Sequence, residues 1–230
     1  MNRYLKQIIN APFAVGLKFK PKIFVISFQR TGTTSTGKFF GDHNFRVANY
    51  SVSRRNEWTL NWFKGDYNRI FNSIDFQAHQ VFEDDPWWCG NFYKVLFHRF
   101  PNSKFVLLER DPDRWFDSMV NHSSGKTLGN TYRHSKIYRR EIEFYSLDIN
   151  INKPYSSRID NLMELNDSHR EHYKNIYFIR NKEIKEFFDQ FDSERLIYAK
   201  LEDQYKWKKI GKFIGFNVDN NYNVHVNSSK

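Results

Sequence analysis

The chain has 230 residues, 40% hydrophobic, 18% aromatic and 27% charged, a composition that excludes disordered, collagen-like and low-complexity architectures. No apolar stretch approaches the roughly 18 residues needed to span a bilayer, and the single cysteine, Cys89, can form neither an internal disulfide nor a zinc site on its own. Basic residues number 36 against 26 acidic, a formal net charge of +10, which calls for an anionic partner without naming one and fits nucleotide, phospholipid or nucleic acid.

Residues 1–20 read as an N-terminal arm. Its basic start, with Arg3 and Lys6, leads into a short apolar run that Asn10 and Pro12 interrupt, and no Ala-x-Ala cleavage pattern follows, so a signal sequence is not expected. With one cysteine and no membrane span, a cytoplasmic location is expected. A β-branched and aromatic run over 22–28 predicts a buried strand, closed by a loop holding Gly32 and five hydroxyl side chains. Weaker strands are predicted at 45–48 and 77–82. A clear one over 104–110 stops at Asp111-Pro112, where Asp suits a helix N-cap and Pro the first helical position. A last strand covers 195–200. Helical periodicity marks 91–100, 115–120, 169–188 and 205–214, the last ending at Gly215. The stretch 121–166 is rich in Ser, Asn, Arg and Tyr, and reads as helices and loops inserted over the sheet. Strands alternating with helices predict an α/β fold with three layers, a central mostly parallel sheet with helices on both faces, as one domain over 1–230.

The loop after the first strand carries the chemistry. Where a strand turns into a helix, free backbone N–H groups and the positive helix end face one point, which attracts phosphate. Gly32 permits close backbone approach, Arg30 and Lys38 supply positive charge, and the hydroxyls of Thr31, Thr33, Thr34 and Ser35 add donors. In one register, Gly32 to Lys38 fits the phosphate-loop spacing of Gly, four residues, Gly, Lys. That reading implies a P-loop kinase or nucleoside triphosphatase, but Phe39 stands where a magnesium-binding Ser or Thr is required.

One register earlier, Arg30-Thr31-Gly32-Thr33-Thr34-Ser35 resembles the 5'-phosphosulfate loop of sulfotransferases that use 3'-phosphoadenosine 5'-phosphosulfate (PAPS). In that family an Arg at the end of a later strand and a Ser eight positions on hold the 3'-phosphate; Arg110 and Ser118 have that spacing. An always-charged guanidinium can grip phosphate bidentately while a hydroxyl completes the shell. The resemblance is to the small P-loop-like sulfotransferases of bacteria and some eukaryotes, and it extends over about 22–227. Asp84-Asp85-Pro86-Trp87 is similar to an Asp-x-Pro segment, 169–184 to a long helix carrying an aromatic and His, 208–216 after Trp207 to a late helix, and His225-Val226-Asn227 to a closing His-x-Asn. The resemblance implies a P-loop-like sulfotransferase fold, with PAPS as sulfuryl donor, PAP as product and no metal. It also implies donor binding by Arg30, Thr31, Gly32, Thr33, Thr34, Ser35, Arg110 and Ser118. Two departures stand out: Ser35 occupies the place of an adenine-stacking Trp in the cytosolic small-molecule enzymes, and Arg30 the place of their Lys.

The implied reaction is transfer of a sulfuryl group from PAPS to an acceptor hydroxyl, on a carbohydrate or lipid-linked sugar, by in-line displacement with a carboxylate base. Arg30, with the Thr33 and Thr34 hydroxyls, would stabilise charge on the leaving phosphate oxygen. The base is sought among Glu83, Asp84 and Asp85, which follow the strand at 77–82 and cannot all face the crevice because strand side chains alternate. Asp84 ranks first on its match to the Asp-x-Pro segment, Glu83 second, and Asp85 is expected to face solvent or cap a helix. His79 comes next, with a structural role as the competing reading. Trp87, Trp88, Phe92, Tyr93 and Phe97 either line an acceptor pocket, since flat rings suit sugars, or belong to the core. The basic, aromatic run 132–140 either attracts an anionic glycan or nucleic acid or is a solvated helix face. The expected partner is a small-molecule or glycan acceptor, with no obligate nucleic acid, and the chain is compatible with a homo-oligomer. The net charge keeps a basic nucleic-acid-binding domain as the non-enzyme alternative.

Overall fold

A computed structural model of the chain describes residues 3–122, 132–146 and 163–226. The chain divides into two compact units, Met1–Glu109 with Phe188–Lys230, and Arg110–Phe187.

The first unit contains a five-stranded, all-parallel sheet in the order β2-β3-β1-β4-β5. The strands are β1 (Ile23–Val25), β2 (Val47–Ala48), β3 (Val81–Phe82), β4 (Lys104–Glu109) and β5 (Leu196–Lys200), one in each segment where a strand was predicted. Around them lie α1 (Arg3–Leu17), α2 (Thr33–Asp42), α3 (Tyr50–Arg55), α4 (Trp58–Phe63), α5 (Tyr67–Phe71), α6 (Ile74–Gln77) and α7 (Phe92–Arg99). At its C-terminal end the unit adds α12 (Lys206–Ile214). The strand predicted over 77–82 shrinks to two residues because the Ser73 hydroxyl caps α6 through the Phe76 N–H, drawing Gln77 into helix. Helices α3 to α6 run four to six residues each, too short for a 3.6-residue period to register in the sequence.

Period-two alternation sorts the strand side chains into two layers. Ile23, Val25, Val81, Val106, Leu108 and Ala199 face the helices that carry Phe39, Phe40, Trp207 and Ile210, namely α2 and α12. Phe24, Phe82 and Phe105 point the other way, into an aromatic layer with Phe76, Trp87, Phe100 and Phe188. There Phe24 lies 5.3 Å from Phe82 and 5.6 Å from both Phe105 and Trp87, ring centre to ring centre. Trp87, Trp88, Phe92, Tyr93 and Phe97 are all buried, as core side chains are.

At the amino ends of the strands, Lys22 donates to the carbonyls of Leu17 (2.9 Å) and His79 (2.7 Å), tying the end of α1 to the sheet. Burial pushes its ammonium down to about 8. His79 sits at this same end, just before β3, buried and bonded through Nδ1 to the Asp75 carbonyl, with burial lowering its basicity. In a parallel sheet the ligand crevice lies at the opposite, carboxyl ends, so His79 is structural.

The second unit holds α8 (Pro112–Asn121), α9 (Tyr132–Ile137), α10 (Glu141–Ser146) and the greater part of α11 (Arg170–Phe191). Asp111 caps α8 through the Arg114 N–H (3.0 Å) with Pro112 at the first helical position, as its sequence predicts. Within the run 132–140, His134, Ser135, Tyr138 and Arg140 are buried. Tyr138 stacks on Tyr173 at 4.5 Å, and Arg140 pairs with Glu143 and donates to the Glu164 carbonyl at 2.9 Å. Lys136 and Arg139 remain exposed, so the stretch is a partly solvated helical segment whose inward side, with Arg140, is consumed in internal packing. The side chains of Tyr132 and Arg133, and residues 123–131 and 147–162 of the expected insert, lie outside the described residues. Among the described residues no helix is long and apolar enough to cross a membrane.

Candidate active site

The chain leaves β1 toward β2 on one side and leaves β4 toward β5 on the other, so the carboxyl ends of the neighbouring strands β1 and β4 form the topological switch of the sheet. The loop between β1 and α2 starts there. Ser27, fully buried, extends the ladder with its side chain: its hydroxyl accepts the Leu108 N–H at 2.7 Å, and the Ile26 N–H reaches the Val106 carbonyl at 2.9 Å. The loop is thereby anchored to β4. Thr31, fully buried, turns its hydroxyl back onto the Phe28 carbonyl.

Gly32 is the N-cap of α2, with φ of 85° and no side chain bonded over the helix end. A Cβ there would lie 2.6 Å from Leu201 Cδ1, so both the left-handed backbone and the close approach call for glycine. The first turn of α2 presents Thr33, Thr34 and Ser35, of which Thr34 is exposed. The Ser35 hydroxyl accepts the Val226 N–H at 3.0 Å, bringing the segment that ends in the closing His-x-Asn onto the loop; Asn227 itself lies outside the described residues. Lys38 is exposed and bonded to Asp42 at 2.8 Å, and Phe39 stacks on Trp207 at 4.8 Å. The lysine and the metal-ligand position of a phosphate-loop kinase are thus committed to a surface ion pair and to the core.

The three carboxylates after β3 separate by burial. Val81 faces α2, so alternation returns Glu83 to the same side, and its side chain packs on Gly37 of α2, with Oε1 3.3 Å from the position a Cβ would take. Glu83 is 3% exposed, and its Oε2 is buried with no hydrogen-bond partner. Burial, then the neighbouring charges of Asp84 and Asp85, push its carboxyl from 4.5 up to about 8. Asp84 is half-buried and accepts the Asp85 N–H on its own Oδ1 at 2.7 Å. Asp85, expected to face solvent or cap a helix, is instead 4% exposed, with its Oδ1 3.9 Å from Cys89 Sγ, because the chain here forms a buried turn and no helix follows it directly. Five non-glycine residues among those described have positive φ, and Arg30 (66°) and Asp84 (69°) are two of them. Non-glycine residues held in that region cost roughly 1–3 kcal/mol each and concentrate at functional sites.

In the second unit, Arg110 is held by its backbone. Its N–H donates to Tyr177 Oη at 2.8 Å, and the Tyr177 hydroxyl donates to the Arg110 carbonyl at 3.2 Å. The Tyr177 ring stacks on Trp115 at 4.4 Å. Ser118 lies on the buried side of α8, with Trp115, Phe116 and Met119. Asp111 is occupied as the cap, and Asp113 pairs with Lys174 (2.9 Å) and Arg170 (3.4 Å).

Against known families, residues 22–230 match the sulfotransferase domain. The chain belongs to the sulfotransferase domain family. No curated protein matches it. Membership makes it a transferase of sulfuryl groups, and the match runs through both compact units. Within this sulfotransferase, Arg30, Thr31, Gly32, Thr33, Thr34 and Ser35 form one continuous strand-to-helix turn, and α2 carries that turn to Glu83 through Gly37. Ser27 and Tyr177 were not singled out from the sequence, and Gly37 only as the second glycine of the phosphate-loop register, not as the seat of Glu83. Ser27 and Gly37 stand inside the loop segment itself, but their contacts are with residues remote in the chain; Tyr177 has no signal beyond its place on the long helix.

Proposed function

We propose that this sulfotransferase uses PAPS to sulfate an acceptor hydroxyl on a carbohydrate or lipid-linked sugar, and that 1–230 works as one domain. The observation that carries the reading is the uncapped start of α2 at the sheet's switch point, preceded by Arg30 and opened by Gly32 in the left-handed region, where a Cβ would meet Leu201. The donor, when bound, supplies a sulfuryl group already activated as a phosphosulfate anhydride. Arg30, the first-turn amides of α2 and the Thr33 and Thr34 hydroxyls provide preorganised positive charge and donors for the 5' end. One such donor is typically worth about 3 kcal/mol of transition-state stabilisation. Arg110, with Ser118, is assigned to the 3'-phosphate, its guanidinium launched from a backbone that Tyr177 clamps.

Glu83 replaces Asp84 as the preferred base. A carboxyl near 8 is a far stronger base than an ordinary glutamate, and matching basicity to the working pH is what general-base catalysis requires. Held mostly protonated at neutral pH, it also places less negative charge beside a polyanion-binding turn. Its ionised form takes the proton of the acceptor hydroxyl as that oxygen attacks. Asp84 raises the Glu83 carboxyl by its charge and braces the turn through the Asp85 N–H.

The test is a thermal melt in EDTA with PAP, ADP or ATP, since a ligand that binds only the folded state raises the midpoint. A shift with PAP that Arg30→Ala and Arg110→Ala each abolish is the expected result. Magnesium-dependent stabilisation by ATP without any shift by PAP would overturn it.

A further inference from the structure

Helix α1 lies before the segment matched to the sulfotransferase domain, and its amphipathicity is reversed. The inward side carries Asn10, whose amide donates to the fully buried Asp75 carboxylate and accepts from Arg46 Nη2 at 2.6 Å, with Ala14 buried beside it. Asn56 and Arg55 also bond Asp75, at 2.5 and 3.3 Å. A polar knot therefore fixes the helix by its polar side. At about 100° per residue, the opposite arc of about 160° collects Leu5, Ile8, Ile9, Phe13 and Val15, and these are exposed, Ile8 at 69% and Val15 at 81%. Just beyond, Phe19 is 87% exposed between the exposed Lys18 and Lys20. A helix packed on a globular domain ordinarily turns its apolar stripe inward, and a contiguous outward arc of this width marks an interaction surface.

We propose that α1 docks the enzyme on an anionic phospholipid surface, lying in the headgroup layer with its apolar arc downward and Lys18 and Lys20 against lipid phosphates. Charge decides for this occupant: residues 1–20 contain four basic residues and no acidic one. A symmetric contact between two copies would bring the same patch together and set basic residues against a segment that holds no acidic one. An anionic membrane complements them, and basic amphipathic helices with Phe and Ile on the apolar side bind such interfaces. The helix has 15 residues, about 22 Å at 1.5 Å each, shorter than the roughly 30 Å hydrocarbon core, so it lies on the membrane. The proposal is independent of the donor and acceptor assigned above.

The test is flotation of the full chain with phosphatidylcholine vesicles, with and without phosphatidylserine. Binding is expected only to the anionic vesicles and should weaken with salt. Ile8→Asp with Val15→Asp should lower the partition coefficient by about tenfold or more, as should Lys18→Glu with Lys20→Glu. All four positions are exposed, so the melting midpoint should not move. Failure of the unmodified chain to bind anionic vesicles overturns the proposal, as does binding that neither double variant weakens. If light scattering instead finds a dimer that Ile8→Asp with Val15→Asp dissociates, and vesicles are not bound, the arc is a contact between two copies.

Discussion

Glu83 rests on α2 at Gly37, where a Cβ would stand 3.0 Å from its Cγ and 3.3 Å from its carboxyl carbon. The helix that begins at the proposed donor-binding turn thereby also positions the buried carboxyl. Gly37→Ala separates the two effects. Alanine favours a helix interior over glycine by about 1 kcal/mol, which offsets part of the crowding, so the melting midpoint should change little. The carboxyl must move, and turnover should fall about tenfold or more. Comparing kcat with the melting midpoint checks both; unchanged turnover would remove Glu83 from the mechanism.

Glu83 also writes a pH signature. Its folded value, about 8, is above the ordinary 4.5, so between these limits the native state holds a proton that the unfolded chain has released. The contribution is fully present below about 4.5, declines by about 1.4 kcal/mol per pH unit across the window, and is lost above about 8. Glu83→Gln should flatten that slope in denaturant titrations at several pH values. In the unmodified enzyme kcat/KM should rise with pH toward about 8, and in Glu83→Gln this limb should vanish along with a 100-fold or greater loss of rate, on the order expected of a lost general base.

Tyr177 acts on the proposed 3'-phosphate site at one remove, as a positioning residue. Tyr177→Phe deletes both hydrogen bonds to the Arg110 backbone while keeping the ring on Trp115. Stability should fall by about 1–3 kcal/mol, and PAP binding should weaken several-fold without reaching the complete loss expected of Arg110→Ala. Calorimetric titration with PAP distinguishes the two, and adenosine 5'-phosphosulfate, which lacks the 3'-phosphate, should bind both variants as it binds the unmodified enzyme.

Lys38→Ala separates the two loop registers. The lysine is exposed and paired with Asp42, an arrangement worth at most about half a kcal/mol. Sulfuryl transfer and PAP binding should therefore be unchanged within twofold. A loss comparable to that of Arg30→Ala would restore the phosphate-loop register.

The strand segments and the strand-to-helix turns were legible because their signals are local. Val, Ile and Phe runs bounded by polar residues predict strands wherever they stand, and Asp111-Pro112 announces a helix start through its own side chain and ring. The ranking of Asp84 over Glu83 came from a motif position, which carries no information on burial. Glu83 becomes the unusual carboxyl only when α2 closes over it at Gly37, and Asp85 leaves solvent only when the turn it shares with Trp87 and Trp88 is buried. For the same reason Trp87, Trp88, Phe92, Tyr93 and Phe97 looked equally suited to a sugar pocket or a core, since a ring's composition is the same in both.

What the chain's order of residues carried by itself is an anion-binding pattern and a family resemblance: a hydroxyl-rich turn with Arg30 and Gly32 after a buried strand, then Arg110 and Ser118 at the spacing of the sulfotransferases, in a basic α/β protein. These are properties of contiguous segments, and contiguous segments carry them. The tertiary structure decided which carboxyl is shifted, which hydroxyls are already spent on internal bonds, and which way α1 faces. Each of those depends on desolvation or a partner contributed from elsewhere in the chain, and neither exists until the chain has folded.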